Sequence, residues 1–342
     1  MYDVIVIGAG PSGSSAARKL AVDGFKVLLV ERAKMPRSLS CSGVLIKKTA
    51  ELIKDYFLED VPESVMCSPK YGKGMICTND DGKEIRYEQP TLNIWRNSFD
   101  MWLAEKAVEA GAELRDETAV ISCEERNSDV IVKLRGKTEH TEKAKIVIAC
   151  DGTAGTIKSK LTGTQQNHIF TYQTFNRGTV DLDPHYFYAY LQPDLTEFSA
   201  WFNVKDNWLV FGIAGKNIGK MEHYYSKFIA YMKSRHNADI EATGKREKWT
   251  MPLILPGCPT YYGNGRVMFA GETSGFLNPI GEGISAALEC GHAAAAAVSA
   301  VGDFNIKSVY EKYKANVTEL EEYMRRQWRL LGSVSTRFAH MK

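Results

Sequence analysis

The sequence predicts an α/β protein in which a mostly parallel sheet covered by helices carries an inserted antiparallel sheet. Three observations predict this class. The chain opens with a strand, a glycine turn, a helix and a second strand over residues 2–31; apolar strand-like runs return at residues 145–149 and 266–270; and short, aromatic-rich strands fill much of residues 165–256. Because the aromatic strands lie between the two returning runs, the antiparallel part interrupts the parallel one.

The remaining elements are predicted from local patterns, with a period of 3.6 residues for helices, alternation for strands and Gly, Asn or Asp at turns. In chain order, the expected elements are a strand at Tyr2–Ile7, a helix at 14–22, a strand at 26–30, a hairpin at 66–88 that turns at 79–82, a helix at 97–112, a second hairpin at 117–135, a strand at 145–149, the strands of 165–256 with one helix at 224–233, a strand at 266–270, and helices at 284–301 and 308–331.

Length and charge limit the class of function. With 342 residues, the chain is long enough for two domains. Its 44% hydrophobic and 25% charged residues are typical of a folded globular protein. The 43 Lys and Arg residues against 41 Asp and Glu residues give a net charge of +2, which provides no field to attract nucleic acid. We therefore expect no nucleic-acid partner.

The cysteines favour a reducing compartment. They are odd in number and form no CxxC pair, so neither a disulfide framework nor a metal site is indicated. Met1 leads directly into a strand without the basic segment of a signal peptide, and the apolar stretch 292–301 is about half as long as a membrane crossing requires. We expect a cytoplasmic protein with seven reduced thiols, which are Cys41, Cys67, Cys77, Cys123, Cys150, Cys258 and Cys290.

The first turn has the glycine spacing of a dinucleotide-binding loop. Gly8 allows a tight turn after the strand, Gly10 allows the backbone to approach a pyrophosphate, and Gly13 allows the helix to lie close to the sheet. The phosphates would bind at the helix N-terminus. Glu31, at the end of the second strand, is placed to accept hydrogen bonds from a ribose.

A second strand-to-helix turn indicates the other half of a long cofactor site. Gly271 and Glu272 follow a strand, and glycines lead into the helix that begins near Gly283. A carboxylate at the strand end can hold ribityl hydroxyls. The helix N-terminus can direct N–H groups toward a flavin pyrimidine, which holds negative charge when the flavin is reduced. These features favour FAD over a nicotinamide dinucleotide.

Together these segments resemble the FAD-dependent geranylgeranyl reductase family, within the broader para-hydroxybenzoate hydroxylase type. The resemblance covers roughly residues 1–305 and is carried by YDVIVIGAGPSGSS, VLLVER, PRSLSCSG, RNSFD, IVIACDG and GETSGFLNPIGEGISAALECG. It implies a Rossmann-like FAD-binding domain with an inserted antiparallel β-sheet substrate domain and a short C-terminal helix. The expected divisions are 1–65, 95–164 and 257–305 for the FAD-binding domain, 66–94 and 165–256 for the substrate domain, and 306–342 for the helical tail.

The resemblance also implies roles for individual residues. Arg96 would bind on the pyrophosphate side, the loop at 279–284 would hold the isoalloxazine, and Asp151 with Gly152 would lie near the adenine end. The expected cofactor-binding residues are Gly8, Gly10, Pro11, Ser12, Gly13, Glu31, Arg32, Cys41, Ser42, Gly43, Arg96, Val120, Asp151, Gly152, Gly271, Glu272, Pro279, Gly281, Gly283 and Ile284.

The chain departs from the family pattern at three positions. The usual Gly-Asp pair reads Gly271-Glu272, which is one methylene longer. The usual Cys-Gly-Gly reads Cys41-Ser42-Gly43, and the aromatic YxWxFP segment is present only as AWFNV at 200–204.

Cys41 is the expected catalytic residue, because the resemblance places its loop near the flavin and a thiol can protonate carbon. The alternative is a small packing residue. Tyr188, Tyr190, Trp201 and Phe211 are the expected substrate-binding residues, since aromatic strands can line an apolar pocket for a prenyl chain or ring. The alternative is that they pack the sheet on its own helix.

The helical tail carries an apolar stripe and a basic end. The stripe either docks on the protein itself, caps the substrate cavity, or rests on a membrane surface as a peripheral contact.

The leading hypothesis is an FAD-dependent oxidoreductase that saturates carbon–carbon double bonds of an apolar, isoprenoid substrate. NAD(P)H or a ferredoxin-like protein would supply its electrons. The alternatives are an FAD-dependent monooxygenase or halogenase that uses NAD(P)H and O₂, and a flavin-binding electron-transfer or scaffolding partner.

Overall fold

The fold has two sheets and nine helices within residues 1–164, 167–254 and 260–339, which a computed structural model describes. Strands β1–β16 are, in chain order, Tyr2–Ile7, Val27–Val30, Val44–Ile46, Met66–Thr78, Glu84–Ile94, Glu113–Arg115, Ala119–Arg126, Asp129–Arg135, Glu139–Ala149, His168–Thr179, Tyr186–Tyr190, Ser199–Lys205, Trp208–Gly215, Asp239–Pro252, Gly263–Asn264 and Val267–Phe269. Helices α1–α9 are Pro11–Val22, Lys47–Phe57, Arg96–Glu109, Ile157–Thr162, Met221–His236, Ile284–Val301, Ile306–Asn316, Thr318–Val334 and Thr336–Ala339.

The first sheet brings the ends of five parallel strands to one edge. Its order is β15, β16, β9, β1, β2, β6, with β8 and β7 joined to β9, and the strands from β16 to β6 run parallel. Helices α1 and α6 pack on one face, and β8 covers the other. The loops that follow β1, β2, β9 and β16 therefore meet at the carboxyl edge, where open α/β sheets bind ligands.

The second sheet is mostly antiparallel, as the sequence predicts. Its order is β14, β10, β13, β12, β11, β4, β5, β3, with β11 and β4 parallel. Helix α5 packs on one face. The other face turns toward the carboxyl edge of the first sheet, because Asn203 and Lys205 donate hydrogen bonds to the Ser42 carbonyl at 3.2 and 2.9 Å.

The division of the chain differs from the expected one at β3. This strand pairs with β5 and so belongs to the second sheet, although residues 1–65 are expected in the FAD-binding part. The expected boundary at 256/257 and Cys258 lie outside the described residues.

The tail forms two long helices where the sequence predicts one. Helix α7 ends and α8 begins around Val317, whose backbone leaves helical geometry at φ −102° and ψ 4°. Residues of α7 and the start of α8 pack over the first sheet, whereas Trp328 and Leu331 pack on the second. The break lets one apolar stripe cover two surfaces, so the stripe docks on the protein itself.

Helix α9 fastens the tail to the second sheet. Asp80, in the β4–β5 turn, accepts hydrogen bonds from the Ser335 hydroxyl (2.5 Å) and from the Thr336 amide (2.8 Å). Arg337 donates to backbone carbonyls between β11 and β12, and Phe338 is buried. With α8, this segment covers an apolar area of the second sheet that we call the tail-covered patch, formed by Ile169, Leu191, Phe198 and Ala214.

Helix α6 is long and apolar enough to cross a membrane, and no other helix in the described residues is. However, 61% of that stretch is buried inside the molecule, between α1 and α7. Such burial is typical of a core helix.

His292 connects α6 to α2. Its ring stacks on the Tyr56 ring, with centroids 3.8 Å apart and planes 8° from parallel. Burial, with a smaller contribution from Lys19, lowers the pKa of His292 to about 4. The folded protein therefore keeps this imidazole neutral.

Replacing His292 with Phe should reduce acid sensitivity. The unfolded chain takes up a proton near pH 6.5 and the folded chain only near pH 4, so stability is complete above pH 6.5 and falls as the pH approaches 4. Allowing for partial exposure, the loss is about 2 kcal/mol. Urea unfolding at neutral pH and near pH 4 measures it. His223→Phe, at an exposed site on α5, should keep the wild-type dependence; an unchanged dependence in His292→Phe would contradict the assignment.

Candidate functional site

The turn after β1, residues 8–13, forms a cradle in which one of three glycines, Gly10, is not packed against backbone. A Cβ atom added at Gly8, where φ is +96°, would lie 2.5 Å from the Cys150 carbonyl oxygen, and one at Gly13 would lie 1.8 Å from the Gly8 oxygen. A Cβ at Gly10 would meet only a guanidinium nitrogen of Arg37, at 3.2 Å. The backbone therefore leaves no room for a side chain at the outer two glycines, while Gly10 borders only the end of the Arg37 side chain.

Helix α1 begins at the cradle without a competing anion. Pro11 and Ser12 form its first turn, Gly10 provides no side-chain cap, and the first turn contains no acidic residue. Its unpaired N–H groups and dipole can therefore bind a phosphate.

Glu31 is fixed next to the cradle. It is 5% exposed, and its carboxylate accepts hydrogen bonds from the Ala9 and Ala33 amides, both at 3.0 Å, and from Arg37 Nε at 3.2 Å. A carboxylate has about four acceptor positions, so one remains for a ribose hydroxyl. The exposed Arg32 donates to the Ala154 carbonyl at 3.3 Å.

A buried ion cluster that was not predicted from the sequence lies beside the cradle. Arg96 binds Asp100 through two hydrogen bonds of 2.9 and 3.0 Å, and Arg37 approaches the same carboxylate at 3.1 Å. Asp100 is fully buried. Burial lowers the pKa of Arg96, but Asp100 and Cys41 together more than offset this and the net pKa is raised. The i,i+4 spacing of Arg96 and Asp100 on a helix was the available signal.

The second half of the site follows β16. Glu272 Oε2 accepts a hydrogen bond from the Thr153 hydroxyl (2.6 Å), and the Thr273 hydroxyl donates to Asp151 (3.1 Å) while accepting from the Gly152 amide (2.9 Å). Burial raises the pKa of Asp151. This turn and the end of β9 therefore form one unit.

The placement of Asp151 and Gly152 near the adenine end stays a prediction. They follow β9, and β1 separates β9 from β2, whose end carries Glu31. Their contacts are with the turn expected to hold the ribityl chain. Val120, also expected near the cofactor, is a half-buried residue of β7 that pairs with Leu134.

The loop before α6 holds a carboxylate that is not among the residues predicted from the sequence. Glu282 accepts hydrogen bonds from the Ser285 amide (3.0 Å), the Ser285 hydroxyl (2.6 Å) and the Asn278 amide nitrogen (2.6 Å). Asn278 is 4% exposed, and its Oδ1 has no partner among the described residues. Pro279 and Gly281 form a short turn, and Gly283 is the residue before Ile284, the first of α6.

These two half-sites fit FAD. The two turns lie on one sheet edge, and α1 contacts α6 through a hydrogen bond of 3.0 Å from the Ser15 hydroxyl to the Leu288 carbonyl. The open Gly10 cradle fits a pyrophosphate, and the unpartnered Asn278 Oδ1 is an acceptor of the kind that a flavin pyrimidine N–H requires.

Cys41 borders a polar cavity between its own loop, the start of α3 and the second sheet. Its Sγ accepts a hydrogen bond from the Gly43 amide at 3.3 Å and is close enough to Arg96 to raise that residue's pKa. The cavity has a volume of about 300 Å³ and is lined by Ser38, Leu39, Cys41, Trp95, Arg96, Asn97, Ser98, Phe175, Lys205, Lys245 and Glu247.

Lys205 on β12 holds the Cys41 loop through a hydrogen bond to its backbone. It is 1% exposed, its ammonium donates to the carbonyls of Ser42 (2.9 Å) and Ile94 (2.6 Å), and burial lowers its pKa. Gly43, with φ +71°, leaves the space for it, since an added Cβ would lie 2.1 Å from Nζ. A glycine is therefore required here.

Three of the four expected substrate residues lie elsewhere. Tyr188, Tyr190 and Phe211 are buried on the α5 face of the second sheet, where Tyr190 and Phe211 contact Phe228. They pack the sheet on its own helix, and their assignment to the substrate is corrected. Trp201 lies on the opposite face, beside the tail-covered patch.

In the described ranges, no group of three or more His, Cys, Asp or Glu side chains could hold a metal ion.

A family model described as FAD binding domain matches residues 1–246. The chain is 27% identical to the digeranylgeranylglycerophospholipid reductase of Thermoplasma acidophilum, over 96% of this chain and 86% of that protein. It is 30% identical to the enzyme of the same name from Methanosarcina acetivorans, over 92% of this chain and 80% of that protein.

Solved structures share the fold. One is a geranylgeranyl bacteriochlorophyll reductase-like protein from Thermoplasma acidophilum, with a TM-score of 0.79 and 22% identity over 95% of this chain and 84% of that one. Another is a flavin-dependent brominase variant, with a TM-score of 0.77 and 19% identity over 98% of this chain and 90% of that one.

Proposed function

Since the chain belongs to the FAD-binding geranylgeranyl reductase family and is an FAD-dependent oxidoreductase, we propose that it saturates carbon–carbon double bonds of an isoprenoid substrate. The alignment with named reductases over more than nine-tenths of the chain carries this proposal. Bound FAD supplies the hydride, and NAD(P)H or a ferredoxin-like protein supplies the electrons.

The Cys41 loop supports a proton-donor role. Reduction of an alkene needs a proton on the carbon that does not receive the hydride. The Cys41 thiol faces a cavity, and the Gly43 amide and the Arg96 guanidinium lie where they can stabilise the thiolate left after proton transfer. Lys205 and Asn203 hold the loop carbonyl from the second sheet.

Apolar residues on the face of the second sheet that carries Asn203 and Lys205 favour an isoprenoid substrate. A Cβ added at Gly281 would lie 2.9 Å from Met251 Cε, so Met251 contacts the cofactor loop. Met251 and Trp201 then lead to the tail-covered patch. The cavity itself is polar, contrary to the apolar chamber expected, and suits a polar end of the substrate.

The test is anaerobic turnover. Protein reconstituted with FAD and reduced chemically is mixed with polyprenyl alcohols, diphosphates and glycerophospholipids. Oxidation of the flavin with product masses that rise in steps of two hydrogens is expected. Absence of turnover with every polyprenyl compound would contradict the proposal.

A monooxygenase is the second candidate, because the fold also matches a flavin-dependent brominase. Substrate-stimulated consumption of NAD(P)H that requires O₂ would favour it. The cavity beside Cys41 argues against a scaffolding partner without a small substrate.

Cys41→Ala should slow the oxidation of the reduced flavin by substrate about a hundredfold or more, the contribution expected of a general acid. Single-turnover oxidation of the reduced flavin by substrate measures this. Cys77→Ala, a buried thiol on β4 outside the cavity, is the matched control and should react normally. A wild-type rate in Cys41→Ala would contradict the proton-donor role and would indicate that Cys41 is a small packing residue.

A further inference from the structure

The carboxylate of Glu282 lies at the N-terminus of helix α6 and opposes the positive charge of the helix dipole there. Glu282 binds the Ser285 amide and hydroxyl, and it forms no ion pair with any Lys, Arg or His of the described residues. A carboxylate at this position cancels the positive end of the helix dipole. Helix α1 has no such acid, so the two helices at the sheet edge differ in the charge they present.

The α6 terminus adjoins the second half-site. Glu272 Oε1 lies 3.6 Å from a Cβ added at Gly283, which connects the ribityl carboxylate to the start of α6. The buried, unpartnered Asn278 Oδ1 lies in the same loop. A cofactor with its phosphates at α1 therefore reaches α6 with its ring end.

We propose that Glu282 lowers the reduction potential of the bound FAD and so makes it a stronger hydride donor. A reduced flavin holds negative charge in its pyrimidine ring, and a bare helix N-terminus would stabilise that charge. Glu282 opposes it with a negative charge of its own. The proposed use of this low reduction potential, which is hydride transfer to an unactivated alkene, rests on the proposed function. The effect of Glu282 on the reduction potential of FAD does not.

Spectroelectrochemical titration of the FAD-loaded protein, without substrate, tests the proposal. Glu282→Gln should favour the reduced form roughly tenfold, which is about 30 mV more positive for a two-electron couple. Glu282→Asp keeps the charge and should remain near the wild type. Glu289→Gln removes a charge two turns further along α6, where Lys48 pairs with it at 2.5 Å, and should also leave the potential unchanged.

An unshifted or more negative potential in Glu282→Gln would overturn the proposal, as would an equal shift in Glu289→Gln. Loss of oxidised FAD from Glu282→Gln would overturn it too, because Glu282 is given no part in holding the oxidised cofactor. Failure of alkene reduction would leave the measured potentials valid.

Discussion

Replacing Gly10 with Ala is expected to weaken FAD binding about a hundredfold, or about 3 kcal/mol, and to destabilise the apoprotein far less than Gly13→Ala does. The added methyl group would meet only a guanidinium nitrogen of Arg37, at 3.2 Å, and the chain tolerates it with a shift of a few tenths of an ångström in this ion-paired side chain. A pyrophosphate at the N-terminus of α1 does not, because the methyl group holds it away from the N–H groups. Fluorescence titration of apoprotein with FAD measures the affinity.

Gly13→Ala provides the contrast. Its Cβ would lie 1.8 Å from the Gly8 carbonyl oxygen, so it should lower the free energy of unfolding of the apoprotein itself. Both apoproteins are compared by urea unfolding. If Gly10→Ala bound FAD as tightly as the wild type, the pyrophosphate would not lie against Gly10.

Asp100→Asn should destabilise the protein by about 3–5 kcal/mol. Asp100 is fully buried and is the shared partner of Arg37 and Arg96, whose side chains are 16% and 10% exposed. Without the carboxylate charge, two guanidinium groups are left buried and incompletely paired, which costs more than the pair itself contributes. Urea unfolding measures the change.

Asp60→Asn is the matched control for that experiment. Asp60 pairs with Lys54 at 3.2 Å, but its side chain is 81% exposed. Such a surface pair contributes at most about 1 kcal/mol. A loss in Asp100→Asn no larger than in Asp60→Asn would show that Arg37 and Arg96 do not depend on this carboxylate.

The first strand, helix and second strand could be predicted because their pattern is local. Tyr2–Ile7 and Ile284–Val301 agree with the predicted bounds, since glycines mark their ends: Gly8 follows the strand, and Gly283 and Gly302 flank the helix. The tail was predicted as one helix because its apolar stripe continues through Val317. Only the positions of the two sheets require the break there.

The substrate face could not be predicted from the strands alone. Alternation shows that Tyr188 and Tyr190 share a face, but it does not say which face meets α5 and which meets the cofactor edge. That choice depends on where α5 packs, which is a tertiary property. Similarly, Arg37 comes from a loop 63 residues before Asp100 in the sequence, so no local spacing could join them.

The tail-covered patch has a consequence for synthesis of the protein. Its strands are complete by Gly215, but the side chains that shield them come from α8 and α9, about 110 residues later. At ribosomal rates of about 5–20 residues per second, the tail-covered patch stays exposed to solvent for on the order of ten seconds. Over that interval the patch is exposed apolar surface on the nascent chain, of the kind that makes incompletely folded chains prone to aggregate.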